Sequence, residues 1–163
     1  MLRNIFMFLL AVFAVSGIFC QDSTAEQLLR LTNNIDAEQV KETVSYSIGD
    51  RGPGGGIVFF AGDNSYLEVS GALGFHSWTA AKTTAGNYTG GGFTDWRLPT
   101  REELNQIYLN LRRRNLGSIG DDIYWSSTEN DSSTAWYQSM GNGIQRSGNI
   151  RSFSLNVRAV REI

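Results

Sequence analysis

Cysteine and histidine are almost missing from this chain. Cys20 and His76 are the single examples among 163 residues. With one of each, a zinc site built from histidine and cysteine is excluded. A catalytic triad would have to rest on His76, and nothing flanking it resembles a nucleophile elbow. His76 therefore reads as a satisfied loop or core histidine. Basic excess is also lacking: 14 Lys and Arg stand against 16 Asp and Glu, giving a net charge of -2. That balance argues against a nucleic-acid partner, which calls for a basic face. Proline occurs only twice, at Pro53 and Pro99. The glycine run at 52–56 lacks the Gly-Lys-Ser/Thr ending of a phosphate loop and reads as a turn. No cofactor is implied.

What is present begins with the N-terminus. Residues 1–4 carry one charge, on Arg3, and residues 5–15 have no polar side chain. Ser16 and Gly17 are small, and Gln21-Asp22 ends the apolar character. This is the pattern of a signal peptide over residues 1–20, too short for the ~20 residues of a membrane-spanning helix. It implies export to the periplasm, the cell surface or the medium. Cys20 has a second reading as a lipid-modified first residue, although Phe19 occupies a position where such a site wants Gly or Ala. A lipid there would be the only membrane contact expected. Residues 21–45 read as a polar, partly helical leader, with Leu28, Leu29 and Leu31 in one turn and residues 36–40 in another. Residues 46–163 are long enough for one domain with its own core.

Within that domain, Ile57-Val58-Phe59-Phe60 reads as a buried strand, and Tyr66-Leu67-Glu68-Val69 as its hairpin partner. Ser77 caps a short helix over 78–82, followed by a Gly/Thr-rich loop to Thr94. The clearest helix follows Thr100. Thr100 and Glu103 have the spacing of a capping box, and Leu104, Ile107, Tyr108 and Leu111 fall on one stripe. Arg112, Arg113 and Arg114 close it favourably for the helix dipole, and Gly117 ends it. Tyr124-Trp125-Ser126-Ser127 and residues 135–139 are strands, and a Gly-Asn-Gly turn at 141–143 leads into Ile144-Gln145-Arg146. Phe153, Leu155, Val157 and Ala159 alternate with polar residues as in a half-buried strand, a phase that Val160 breaks. Few strands, two helices and long loops predict an α+β domain. Trp96 is expected in the core, Pro99 to set the direction of the helix, and Arg97 to pair with a carboxylate or with carbonyls.

Four blocks of this domain, in order, carry a resemblance. They are Ile48-Gly49-Asp50-Arg51-Gly52-Pro53-Gly54-Gly55-Gly56-Ile57-Val58-Phe59, then Gly92-Phe93-Thr94-Asp95-Trp96-Arg97-Leu98-Pro99-Thr100-Arg101-Glu102-Glu103-Leu104, then Tyr124-Trp125-Ser126-Ser127-Thr128 with Ala135-Trp136, and finally Val157-Arg158-Ala159-Val160-Arg161. Together they resemble the Legionella collagen-like (Lcl) C-terminal domain family of exported bacterial proteins, over roughly residues 46–163. The resemblance implies a C-type-lectin-like fold, with two helices packed on small antiparallel sheets. It also implies an adhesin-like, non-catalytic binding role, since some relatives bind surface polysaccharides. Members often have a cysteine between the two valines of the closing strand, where this chain has Ala159.

The candidate ligand face is Trp136, Tyr137, Gln138, Asn142, Gln145, Arg146, Asn149 and Arg151. Flat aromatic rings among amide and guanidinium donors suit a carbohydrate, and equally a protein partner. The competing reading of Trp136 places it inward as core. Asp121, Asp122 and Asp131 flank the Tyr124-Trp125 strand as weak calcium candidates, with solvated loop acids as the plainer reading. A hydrolase using those acids is a distant third class. The main alternative to a binding module is a structural component of an envelope assembly with no small ligand. A further variant is a surface receptor whose loops after Trp136 are diversified by a retroelement.

Overall fold

The computed structural model describes residues 44–63, 65–150 and 152–163. The expected signal peptide, Cys20, all but the end of the leader, and Arg151 lie outside the described residues. Ser45–Ile163 form one compact unit, and its architecture is α+β.

A three-stranded sheet has the order β1-β2-β8, from β1 (Ile57–Ala61), β2 (Tyr66–Val69) and β8 (Val160–Glu162). Both pairings are antiparallel, so the two ends of the domain close in one sheet. A five-stranded sheet has the order β3-β7-β4-β5-β6. Its strands are β3 (Phe75–Ser77), β4 (Ile123–Asp131), β5 (Thr134–Ser139), β6 (Gln145–Asn149) and β7 (Ser154–Asn156). The β4–β7 pairing, at Tyr124 and Asn156, is parallel and the other pairings are antiparallel.

Two α-helices are present among the described residues, α1 (Trp78–Gly86) and α2 (Arg101–Asn110). They lie on opposite faces of the larger sheet. Tyr124 joins the cluster of Leu104, Ile107 and Leu111 from the α2 side. Its neighbour Trp125 joins Trp78, Ala81 and Ala85 of α1. Successive strand residues point to opposite faces, and that alternation separates the two cores.

The capping box at α2 forms as the spacing predicts. Glu103 N donates to Thr100 Oγ1 at 3.2 Å, and Thr100 N donates to Glu103 Oε2 at 2.7 Å. The stripe is in the core, with Leu104, Ile107 and Leu111 buried and Tyr108 packed against them. Arg97 also meets a carboxylate, giving Glu103 two bonds of 2.7 and 2.6 Å.

Four local expectations need correction. Helix α1 runs to Gly86 rather than Lys82, because Trp78, Ala81 and Ala85 form a buried stripe whose packing overrides the weak helix propensity of Thr83 and Thr84. Ser77 precedes that helix but makes no side-chain cap. The left-handed residue after α2 is Asn115 (φ 55), following a 3-10 turn over Arg112–Arg114. Gly117 (φ 69) follows in a separate turn with Ser118. Finally, the terminal alternation is two short strands in two sheets. Val157, Arg158 and Ala159 run between the sheets, covered on both sides, so a period of two has no meaning there. Arg158 is buried with them, donating to Ser70 O at 2.8 Å and Ser118 O at 3.0 Å.

Candidate functional site

Strand pairing decides where the candidate ligand residues go. Tyr137 faces Arg146 across the β5–β6 ladder, and Gln138 faces Gln145. Tyr137 stands edge-on to Trp125, 6.0 Å between centroids, so it and Arg146 belong to the α1 face. Trp136, Gln138 and Gln145 belong to the α2 face. Asn142 precedes β6 and Asn149 is its last residue, each organising its own turn. Asn142 Oδ1 accepts from Ile144 N at 3.0 Å, and Asn149 Oδ1 from Ser152 N at 3.1 Å. The seven described candidates therefore do not share one surface.

On the α2 face a polar network fixes a guanidinium. Gln138 is fully buried, and its Nε2 donates to Asn105 Oδ1 and to Gly143 O, both at 3.1 Å. Gln145 Nε2 donates to Gln138 Oε1 at 3.2 Å and to Arg101 O at 2.8 Å. Arg101 Nε returns a bond to Gln145 Oε1 at 2.8 Å. The Arg101 guanidinium carbon lies 3.6 Å from the centre of the Trp136 ring, a close cation–π geometry. Trp136 is half-buried, which is neither the fully inward position nor a bare platform.

Beside this network lies an open groove of about 630 Å³, lined by Arg101, Glu102, Asn105, Gln106, Leu109, Asn110 and Gln145. Six of the seven come from α2, at positions that the sequence analysis, which read only the apolar stripe, did not single out as a site. The signal was there in the spacing: Arg101, Asn105 and Leu109 form one row at i, i+4 and i+8, and Glu102, Gln106 and Asn110 form the next. Among the described residues, Arg101 Nη1 and Nη2, the Glu102 carboxylate and the Gln106 amide take no partner.

The acidic candidates are not gathered. Asp121 and Asp122 precede β4 and Asp131 ends it. At ~3.3 Å per residue, nine residues of strand separate Asp122 from Asp131 by roughly 25 Å or more. They cannot share one calcium ion. Among the described residues, no group of three His, Cys, Asp or Glu is placed to hold a metal. Asp121 pairs with Arg112. Asp131 ties the β4–β5 turn, accepting from Thr134 Oγ1 at 2.6 Å, from Ser133 N and Oγ, and from Asn130 Nδ2. The Thr134 hydroxyl first, then the Ser133 groups, hold its carboxyl far below the usual carboxylate range. His76 Nε2 is bonded to Leu73 O at 3.1 Å.

A second polar cluster was missed altogether. Glu68 is wholly buried in β2. Its Oε1 accepts from Gly54 N and Arg161 Nη1, and its Oε2 from Gly56 N, all at 2.9 Å. Arg161 Nε donates to Asp95 Oδ1 at 2.9 Å, and its guanidinium lies 3.7 Å over the Phe93 ring. Arg97 and Val160 exchange backbone bonds of 2.9 and 2.8 Å, and Ser127 N leaves the β4–β5 ladder to bond Pro99 O at 2.7 Å. The four sequence blocks thus interlock around the buried Trp96.

Residues 60–161, a span that holds the last three of these blocks, match the family model of the Lcl C-terminal domain. The chain belongs to this family. No curated protein matches it. In this Lcl C-terminal domain, most of the residues in the matching blocks hold the fold together. The groove is built on two of them, Arg101 and Glu102, together with residues of α2 and β6 outside the blocks.

Proposed function

We propose that this Lcl C-terminal domain is an exported, non-catalytic binding module of the C-type-lectin-like type, which takes a carbohydrate or protein ligand in the groove along α2. The observation that carries the reading is the fixed Arg101. Its guanidinium is clamped between the Trp136 ring and Gln145 Oε1, which leaves two Nη groups preorganised on an open polar surface. Preorganisation lowers the ordering cost of binding. The groove is shallow and amide-rich, which suits an extended ligand better than an enclosed small substrate.

The lectin-like assignment is supported by the closure of the first and last strands in one sheet, with a helix on each face of the other. The non-catalytic assignment is supported by the dispersal of the acids and by the bond that occupies His76. Export rests on the pattern of residues 1–20. One observation favours the alternative of an assembly component: Phe75 on the edge strand β3 is 65% exposed, as a docking residue would be.

The test is a glycan array with a parallel pull-down on the purified chain. Binding is expected to fall in Trp136→Ala and Arg101→Ala while the unfolding midpoint moves little. A wild-type chain that retains no glycan and captures no protein would sink the reading. Turnover of a bound glycan that stops in Asp122→Asn would overturn its non-catalytic part.

A further inference from the structure

The charge balance of the groove narrows the ligand. One cation, Arg101, and one anion, Glu102, stand beside four amide side chains and Leu109. The formal charges cancel, so the wall has no net attraction for a polyanion, and Glu102 repels one at close range. Amides and a fixed guanidinium do offer donors and acceptors side by side, matching groups that both give and accept, as hydroxyls do. Arg101 Nη1 and Nη2 supply two donors in one plane, spaced for two neighbouring oxygens. Gln106 and Glu102, without hydrogen-bond partners among the described residues, supply the acceptors.

We propose, building on the binding-module reading, that the α2 groove recognises a neutral, hydroxyl-rich glycan edge-on, with Arg101 as the residue that sets specificity. The ligand meets the guanidinium edge and the amides. The Trp136 ring is already covered on the face that Arg101 occupies, so it acts as the support for Arg101 rather than as a stacking platform. Neutral ligands exchange no counterions on binding, so their affinity is insensitive to salt, unlike that of a polyanion.

The experiment titrates the full chain with dextran, mannan and xylan oligosaccharides, and with dextran sulfate and polygalacturonate, at 50 and 500 mM NaCl. Support is binding of at least one neutral glycan, with affinity changing less than about twofold between the two salts. Arg101→Met keeps an unbranched aliphatic side chain at this position and removes the guanidinium donors, and it should weaken that binding at least tenfold. Gln106→Ala removes a groove amide with no internal partner, and should weaken it several-fold without moving the melting temperature. Binding restricted to the charged polymers and lost at 500 mM NaCl overturns the inference while the binding module stands. Capture of a protein with no glycan bound has the same effect. No ligand of either kind removes both.

Discussion

Arg161 Nη1 donates to Glu68 Oε1 at 2.9 Å, and both groups are shielded from water. Glu68 also holds the amides of Gly54 and Gly56, so one carboxylate joins strand β2, the glycine turn and strand β8. Taking Arg161 away leaves Glu68 buried with no counter-charge, whereas Arg161 without Glu68 still has Asp95. Arg161→Met should cost about 3–5 kcal/mol. Glu68→Gln should cost less, because the amide oxygen still accepts a bond from the glycine turn. Urea unfolding measures both, and a loss under 1 kcal/mol for Arg161→Met would show that the pair does not secure the closing strand.

The cap of α2 has a separate cost. Thr100→Ala removes the acceptor for Glu103 N and is expected to lower stability by about 1 kcal/mol. Thr100→Ser keeps the hydroxyl and should stay close to wild type. If the two variants unfold at the same urea concentration, the hydroxyl is not the stabilising group.

Acid should destabilise the domain in a defined window. Burial pushes the Glu103 carboxyl upward, but Arg97 and the Thr100 groups together outweigh burial and hold it below its ordinary value of 4.5. The Arg161 bond, in the same sense, lowers Asp95 below 3.8. A carboxyl with a lowered folded pKa contributes stability that is complete above its unfolded value and is lost as pH falls through the folded one. Melting temperature should therefore be flat from pH 7 to about 5 and fall steadily below about 4.5. Glu103→Gln should start lower at pH 7 and show a shallower decline. A parallel decline in both proteins would rule out Glu103 as a source of the acid limb.

Two neighbouring glycines separate backbone strain from crowding. Gly91 and Gly92 both have left-handed φ values, 65 and 82. A Cβ on Gly91 would sit 2.6 Å from Gly54 Cα and from Pro53 O, whereas one on Gly92 would meet nothing within 4 Å. Gly92→Ala should cost about 1–2 kcal/mol for conformation alone. Gly91→Ala should cost about 1–3 kcal/mol more, for displaced backbone. Equal losses would mean that the two loops yield to each other freely.

Adjacent aromatics on β5 should behave oppositely. Tyr137 packs between Trp125 and Phe153, so Tyr137→Ala should lose about 2–4 kcal/mol of stability. Trp136→Ala should cost less, yet it frees Arg101 and should be the more damaging to ligand binding. Chemical denaturation paired with the glycan titration checks both, and the reverse ranking would mean that the faces of β5 are misassigned.

The sequence was most legible where a local rule and the packing agree. The Thr100–Glu103 spacing and the Leu104, Ile107 and Leu111 stripe place α2 correctly, because cap and core act within one helix. Residues 154–162 misled for the opposite reason: their regular alternation is local, but the segment passes from one sheet to another, which only distant strands determine. Glu68 escaped notice because a single acid in a strand looks solvated until the partner, 93 residues away, is known. The ligand residues divided because Trp136 and Tyr137 are neighbours on one strand and point to opposite faces of the sheet, so no single face of β5 can carry both. On α2, attention to the apolar stripe hid the two polar rows that line the groove.

Strand β7 sits between β3 and β4, and β8 is the sole outer partner of β2. Strand β3 therefore has nothing to pair with until residues 154–156 exist, and the Glu68 carboxylate has no counter-charge until Arg161 does. A nascent chain must carry an open seam through both sheets until these residues have been made, and contacts spanning such sequence distances form slowly. Folding of this domain is thus a late, single closure, like a clasp fastened at the end of a strap. Ribosome-held chains stopped at residue 150 should remain protease-sensitive throughout, with protection arriving in one step once residue 162 has emerged.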